Sequence, residues 1–245
     1  MTTSTAPGLL DLWRETGDGW FPLLCEPLLR IALGHLQEGL SPGAVVLDLG
    51  SGRGYLTSAL ARYGARAVGV DASPAELRQS RARYPSGRYV AALAEALPLD
   101  DASVDALLSV SMLQYTDRAR ALAECRRGLK PGGRFAVVEN LYGSPWARTY
   151  RLAERIARPS AQPRSHLSWQ GRHLYEAYFG EVRYRPFHLL SPGLLTWTGI
   201  HRHPGGAAGR MLRALSRGVQ RVDDALLTVP ALRPLGWLVL IHGTR

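Results

Sequence analysis

Three glycines and two aspartates mark where this chain could do chemistry. Asp48-Leu49-Gly50-Ser51-Gly52-Arg53-Gly54 follows an apolar run, Ala44–Leu49, and precedes a helix-forming stretch, Tyr55–Tyr63. Glycines at such a junction let the backbone turn sharply and approach a ligand closely. Asp71 closes the next apolar run, 21 residues after Gly50, where a carboxylate can accept both hydroxyls of a ribose. Capping the following helix is its plainer alternative. A Gly-x-Gly after a strand is shared by nicotinamide and flavin sites, but the dinucleotide fingerprint needs a third glycine at position 55, and Tyr55 stands there.

The elements that must position these residues read as alternating strands and helices. Ala67–Val70 is a second strand, and Ser73-Pro74 starts a helix with a serine cap and a proline in its first turn. Arg88–Leu93 and Val104–Val110 are further strands, Asp117–Leu129 a helix, Lys130-Pro131-Gly132-Gly133 a turn and Arg134–Glu139 a fifth strand. This rhythm predicts an α/β fold: a doubly wound, Rossmann-like seven-stranded sheet, mostly parallel with an antiparallel edge strand, helices on both faces. Beyond Asn140 the spacing predicts helices over Ser144–Arg158, Trp169–Phe179 and Ala207–Leu227, with strands at Glu181–Pro186 and Gly236–His242. The organisation expected is a helical lid segment over 1–40, a binding core over 41–140, and substrate-side helices with closing strands over 141–245.

Of 245 residues, 46% are apolar, enough for a substantial core and against disorder. No window reaches the length of a transmembrane helix, and the N-terminal sequence lacks the basic-then-apolar order of a signal peptide, so a cytoplasmic protein is expected. Cys25 and Cys125 make neither a metal framework nor a disulfide scaffold.

Taken together, VLDLGSGRGYLT (46–57), VGVDASPAEL (68–77), AEALPLDDASVDALLSVSMLQY (94–115) and LKPGGRFAVVEN (129–140) resemble the class I S-adenosylmethionine (SAM) methyltransferases, in their small-molecule, type 11-like branch. The resemblance implies that Asp48, Gly50, Ser51, Gly52 and Gly54 line the methionine and ribose portion of SAM, and that Asp71, with Ala72 after it, binds the ribose. It puts Ala94 and Glu95 by the adenine, and Ser111 near the transferring methyl. S-adenosylhomocysteine is the implied product. The family usually has Gly-Asp where this chain has Ala92-Leu93; either Glu95 compensates or backbone groups alone read the base. Losing that bond would cost about 1.5–3 kcal/mol of cofactor affinity.

Methyl transfer from a sulfonium is an in-line displacement, and the protein needs a base only where the nucleophile must lose a proton. The segment Ser165–Trp169 resembles the family's substrate side, which makes His166 the first candidate base, followed by Tyr142, His173 and Tyr175. A plain polar or capping role is the alternative for each. His201 and His203 flank a Pro-Gly-Gly loop without carboxylate partners, so no metal is expected. Trp13, Trp20 and Phe21 resemble the family's lid, or simply pack on the sheet. The reading is an enzyme acting on O, C or N of a small, largely apolar molecule, natural-product or lipid-like. The alternatives are RNA methylation and a SAM-binding protein that transfers nothing. The missing Asn/Asp-Pro-Pro-aromatic motif after the fourth strand argues against base methylation in nucleic acids.

The formal net charge is +10, and all of it lies beyond residue 140: residues 1–140 carry 15 basic and 15 acidic side chains, residues 141–245 carry 15 and 5. Arg148, Arg151, Arg155 and Arg158, and again Arg210, Arg213, Arg217 and Arg221, recur at helical spacing. Two solvated helix faces, or a docking surface for an anionic partner, are the readings of this pattern.

Overall fold

The computed structural model describes residues 20–62, 64–157, 164–198 and 206–245. Its elements in chain order are α1 (Trp20–Gln37), β1 (Val45–Leu49), α2 (Tyr55–Arg62), β2 (Arg66–Asp71), α3 (Pro74–Arg83), β3 (Arg88–Ala91), β4 (Val104–Val110), α4 (Arg118–Gly128), β5 (Leu129–Asn140), α5 (Pro145–Ala157), β6 (Arg183–Phe187), α6 (Ser191–Thr198), α7 (Gly206–Leu226) and β7 (Leu238–Thr244). Short 3-10 turns cover Leu113–Tyr115, Gln170–Ala177 and Pro230–Leu235.

All seven strands form one sheet in the order β3-β2-β1-β4-β5-β7-β6. The first five pair in parallel, while β7 runs antiparallel to both β5 and β6. The antiparallel strand is therefore one in from the edge, and β6 is the edge.

Strand alternation sends side chains to two faces. Val46, Ala106, Leu108, Val138 and Leu240 pack with Leu28, Leu29, Ala32 and Leu36 of α1 and Leu60 of α2. Leu47, Leu107, Phe135, Val137 and Ile241 pack with Leu122 of α4 and with Tyr175 and Phe179 on the opposite face. Cys25 and Cys125 are buried, one in each layer. Both faces are covered, so the central strands are mostly apolar rather than strictly alternating.

Helix starts follow the local signals. Ser73 caps α3, its hydroxyl accepting from the Glu76 amide, with Pro74 in the first turn. Asp117 caps α4 by accepting from the Arg120 amide. Two segments depart from expectation. Lys130–Gly133 is an irregularity within β5 rather than a turn before it: pairing steps from Val104↔Leu129 to Ala106↔Arg134, with Gly132 at φ +72°. Gln170–Ala177 winds as a 3-10 helix in place of the α-helix expected over Trp169–Phe179; its His173–Glu176 pair is spaced by three, which suits the tighter winding. α6 was not foreseen at all.

Candidate functional site

The sheet order reverses between β1 and β4, and ligands in such sheets bind beyond the carboxyl ends of strands at that reversal. There a cavity of about 540 Å³ opens over the ends of β1, β2, β3 and β4, lined by Gly50, Asp71, Ala72, Ser73, Ala92, Leu93, Ala94, Glu95, Ser111, Met112, Tyr115 and Thr116 among others.

The glycine loop is shaped by its backbone. Gly50, Gly52 and Gly54 have φ of +78°, +49° and +78°, a region that side chains disfavour. The amides of Gly50 and Ser51 both donate to the Val70 carbonyl, at 2.7 and 3.0 Å, tying the loop to β2. Gly50 also has Met112 directly over it: a Cβ there would lie 2.2 Å from Met112 Cγ.

Asp71 at the end of β2 is held by both oxygens. Oδ2 accepts from the Gly52 amide at 2.9 Å and Oδ1 from the Ser73 amide at 2.8 Å. The carboxylate is thereby fixed in orientation across the loop and the α3 N-terminus, with lone pairs left for a ligand in the cavity it lines. It is thus neither a simple helix cap nor a free side chain.

Asp48, Ser51, Gly52 and Gly54 belong to the same loop but stand outside the cavity wall. Asp48 is 1% exposed and accepts from Thr57 Oγ1 at 2.6 Å. Burial pushes its carboxyl up to about 6, against the pull of the Thr57 hydrogen bonds. It supports the loop from beneath rather than facing a ligand. Gly54 accommodates Tyr89, whose hydroxyl would sit 2.6 Å from a Cβ there.

On the far wall, Glu95 Oε1 accepts from the Asp117 amide at 2.9 Å, so one of its oxygens is committed to the entrance of α4. Leu93 lines the same wall and is 60% exposed, an apolar surface where the resemblance implies an acid. Ser111 takes φ +54°, a costly conformation for a residue with a Cβ, just past β4. Its hydroxyl accepts from Asn140 Nδ2 at 3.2 Å, and its carbonyl accepts from Gln114 Nε2 at 2.6 Å. Met112 and Tyr115 complete this wall. Sequence reasoning passed them over, although Tyr115 stands four residues beyond Ser111 in the matching stretch.

The four candidate bases are not brought together. His166 is half-buried beside the strand ends: the flanking amides of Ser165 and Leu167 donate to the carbonyls of Gln114 and Asn140, at 2.7 and 3.0 Å. Its Nδ1 contacts the Arg151 guanidinium. Burial, then the charges of Arg151, Arg164 and Arg118, hold its ring well below the usual range, at about 4. Tyr142 is exposed and lies under Arg151, whose Cζ is 4.7 Å from the ring centroid. His173 pairs with Glu176 at 2.9 Å on an exposed turn. Tyr175 is fully buried and donates to Glu139 Oε1 at 2.8 Å, with Arg118 Nε at 2.9 Å from the same oxygen. Burial drives its hydroxyl well above the ordinary tyrosine range. Tyr175 is a core residue, and a substrate does not reach it.

His201, His203, Trp13 and Arg158 lie outside the described residues, as do the side chains of Trp20, Phe21 and Arg213. Among the described residues no three His, Cys, Asp or Glu side chains cluster as a metal site.

A Gly-rich strand–helix junction, a pinned acid ending β2 and a cavity at the sheet's reversal form one arrangement, and the sequence match falls on the same stretch: residues 47–137 match the methyltransferase domain family. This stretch is a class I methyltransferase domain. An uncharacterized methyltransferase of Mycobacterium tuberculosis is 41% identical over 123 residues, 49% of this chain and 51% of that protein. The chain thus spans about half the length of the curated relatives it matches. Among solved structures, a chain of the complex between the Haloferax volcanii Trm112 methyltransferase activator and the putative methyltransferase superposes with a TM-score of 0.63 at 22% identity, covering 96% of each chain. The geranyl diphosphate C-methyltransferase of Streptomyces coelicolor, solved with Mg2+, geranyl diphosphate and S-adenosyl-L-homocysteine, gives 0.60 at 19% identity, covering 89% of this chain and 80% of that one. At these identities the likeness is one of fold alone.

Proposed function

We propose that the chain binds SAM in the cavity over β1, β2 and β4 and transfers its methyl group to O, C or N of a small, largely apolar acceptor, leaving S-adenosylhomocysteine. The observation that carries this reading is the doubly anchored Asp71 facing the cavity beside Gly50. A carboxylate fixed before the ligand arrives accepts two ribose hydroxyls without an ordering cost, and Gly50 leaves the backbone bare where the ligand passes. The cavity size suits a nucleoside with an amino-acid tail, and its walls are mostly apolar, with few polar groups to fix orientation.

When bound, SAM supplies a methyl group on a positively charged sulfur, already activated toward attack. The chain's own part is then orientation and exclusion of water. Leu93 and Ala94 offer apolar contact to the base, and the Ala92–Ala94 backbone is left to read its edge. Ser111, fixed by Asn140, keeps its own hydroxyl proton free to donate toward an acceptor oxygen. Met112 and Tyr115 close the apolar side.

Incubation with methyl-labelled SAM and fractionated metabolite pools tests the assignment. Label in a small organic product supports it. Label in RNA moves the acceptor to nucleic acid, and tight SAM binding without any transfer leaves a non-transferring protein of the same fold; either result contradicts the proposal.

A further inference from the structure

Helix α7 buries two polar side chains while leaving part of its apolar stripe outside. Ser216 and Asp223, seven residues apart, are 3% and 2% exposed. Asp223 accepts from the amides of Leu190 and Ser191, at 2.7 and 3.0 Å, and so holds the start of α6. Three of its apolar residues face outward, Met211 being 69% exposed, Leu215 50% and Val222 50%, while Val219 and Leu226 are half-buried. At roughly 100° per residue these three fall within about 40° of one another, Arg210, Arg217 and Arg221 form a second stripe roughly 120° away, and the buried seam is the third side. An ordinary amphipathic helix on a soluble domain turns its whole apolar stripe to the core; here part of it stays outside.

Helix α5 also carries exposed apolar residues. Leu152 and Ile156, one turn apart, are 63% and 75% exposed, with Arg148 and Arg155 exposed beside them. Arg151 leaves the row expected from the sequence, turning inward to His166 and Tyr142. Both helices belong to one layer: α6 packs on α7, and Trp146 of α5 lies so close to Gly193 of α6 that a Cβ there would meet its ring at 2.5 Å.

The outward arginines Arg148, Arg155, Arg210, Arg217 and Arg221 make no ion pair with a described residue. On and beside α7, Asp223 is engaged at the α6 start and Asp224 pairs with Arg185 at 3.7 Å. Apolar stripes flanked by exposed arginines match the surface of an anionic bilayer, in which apolar side chains enter the acyl boundary and guanidinium groups reach lipid phosphates. An acidic protein would satisfy the arginines but leave two separate apolar stripes without acyl chains to enter. Among the described residues no helix is long and apolar enough to cross a membrane, so the contact is one of lying on the surface.

We propose that the outward faces of α5 and α7 form a docking surface for an anionic lipid bilayer. This goes beyond the methyl-transfer reading and does not depend on it, since neither helix lines the cavity at the strand ends.

Flotation of the full chain with phosphatidylcholine vesicles, and with the same vesicles containing phosphatidylglycerol, tests it. The chain should float with the anionic vesicles and stay behind with the neutral ones. Leu215→Asp with Val222→Asp, and separately Arg217→Glu with Arg221→Glu, should each lower partitioning at least about tenfold. Leu152→Asp with Ile156→Asp provides the same test on the other helix. These side chains are exposed, so thermal unfolding and SAM affinity should hold. Indifference to both vesicles, wild-type flotation of all three variants, or a concentration-dependent dimer abolished by Leu215→Asp would overturn the proposal, the last by assigning the face to a second copy.

Discussion

The Arg151 guanidinium donates to Nδ1 of His166, and this contact decides which ring nitrogen carries the proton. Arginine has no lone pair to offer, so Nδ1 must be the acceptor and, in the neutral ring, the hydrogen sits on Nε2. His166 is thereby a donor rather than a proton acceptor toward whatever lies beyond Nε2. Burial and three neighbouring guanidiniums keep it neutral until the pH falls to about 4.

Nitrogen-edited NMR of the imidazole should show the Nε2–H tautomer, with no protonation through neutral pH and a midpoint at about 4. A midpoint near 6.5, the ordinary histidine value, would contradict this arrangement. Replacing a general base typically costs about 10²–10⁴ in rate. Once an acceptor is in hand, His166→Gln should instead change transfer by less than about tenfold.

Gly50 should tolerate no side chain. Its φ of +78° costs an alanine about 1–2 kcal/mol, and the added carbon would meet Met112 at 2.2 Å on the cavity wall. Gly50→Ala should lower the thermal midpoint and weaken S-adenosylhomocysteine binding at least about tenfold. Adding Met112→Ala should return part of the affinity but not the backbone cost. A Gly50→Ala protein with wild-type melting and affinity would show that the loop is not shaped as described.

Asp48 gives a pH signature to folding. Its carboxyl is raised from 3.8 to about 6 by burial, so the folded state holds the proton more tightly than the unfolded chain. That contribution to stability is complete below pH 3.8 and is lost as pH rises through about 6, a change of about 3 kcal/mol. Asp48→Asn removes the dependence while keeping an acceptor for Thr57. In urea titrations the variant should gain on the wild type as pH rises from about 4 to 7. A constant difference between the two across that range would mean that Asp48 titrates normally.

What could be read from the sequence was what is decided locally. The strand–glycine–helix junction, the serine cap before Pro74 and the acid ending β2 are short-range signals, and the structure has each in place. What the sequence hid is decided by tertiary contact. Spacing grouped Arg151 with Arg148 and Arg155, yet only packing against Tyr142 and His166 turns it inward. Tyr175 read as a polar candidate because nothing local announces that Glu139 and Arg118 await it in the core. The amphipathic pattern of α7 was legible, but not that Asp223 is buried in it while Met211, Leu215 and Val222 stay exposed, which depends on Asp223 meeting the start of α6. Met112 and Tyr115 join the cavity through the turn after Ser111, whose left-handed backbone no sequence pattern signals.

The central claim rests on Asp71, and calorimetric titration with SAM tests it most directly. The account predicts one SAM per chain for the wild type. For Asp71→Ala it predicts at least about tenfold weaker binding, since a fixed acceptor facing the ligand is lost. Circular dichroism should show the fold retained in the variant, and Asp71→Asn, which keeps one acceptor oxygen, should fall between the two. A folded Asp71→Ala protein that binds SAM as tightly as the wild type would contradict the account, and so would a wild type that takes up no SAM.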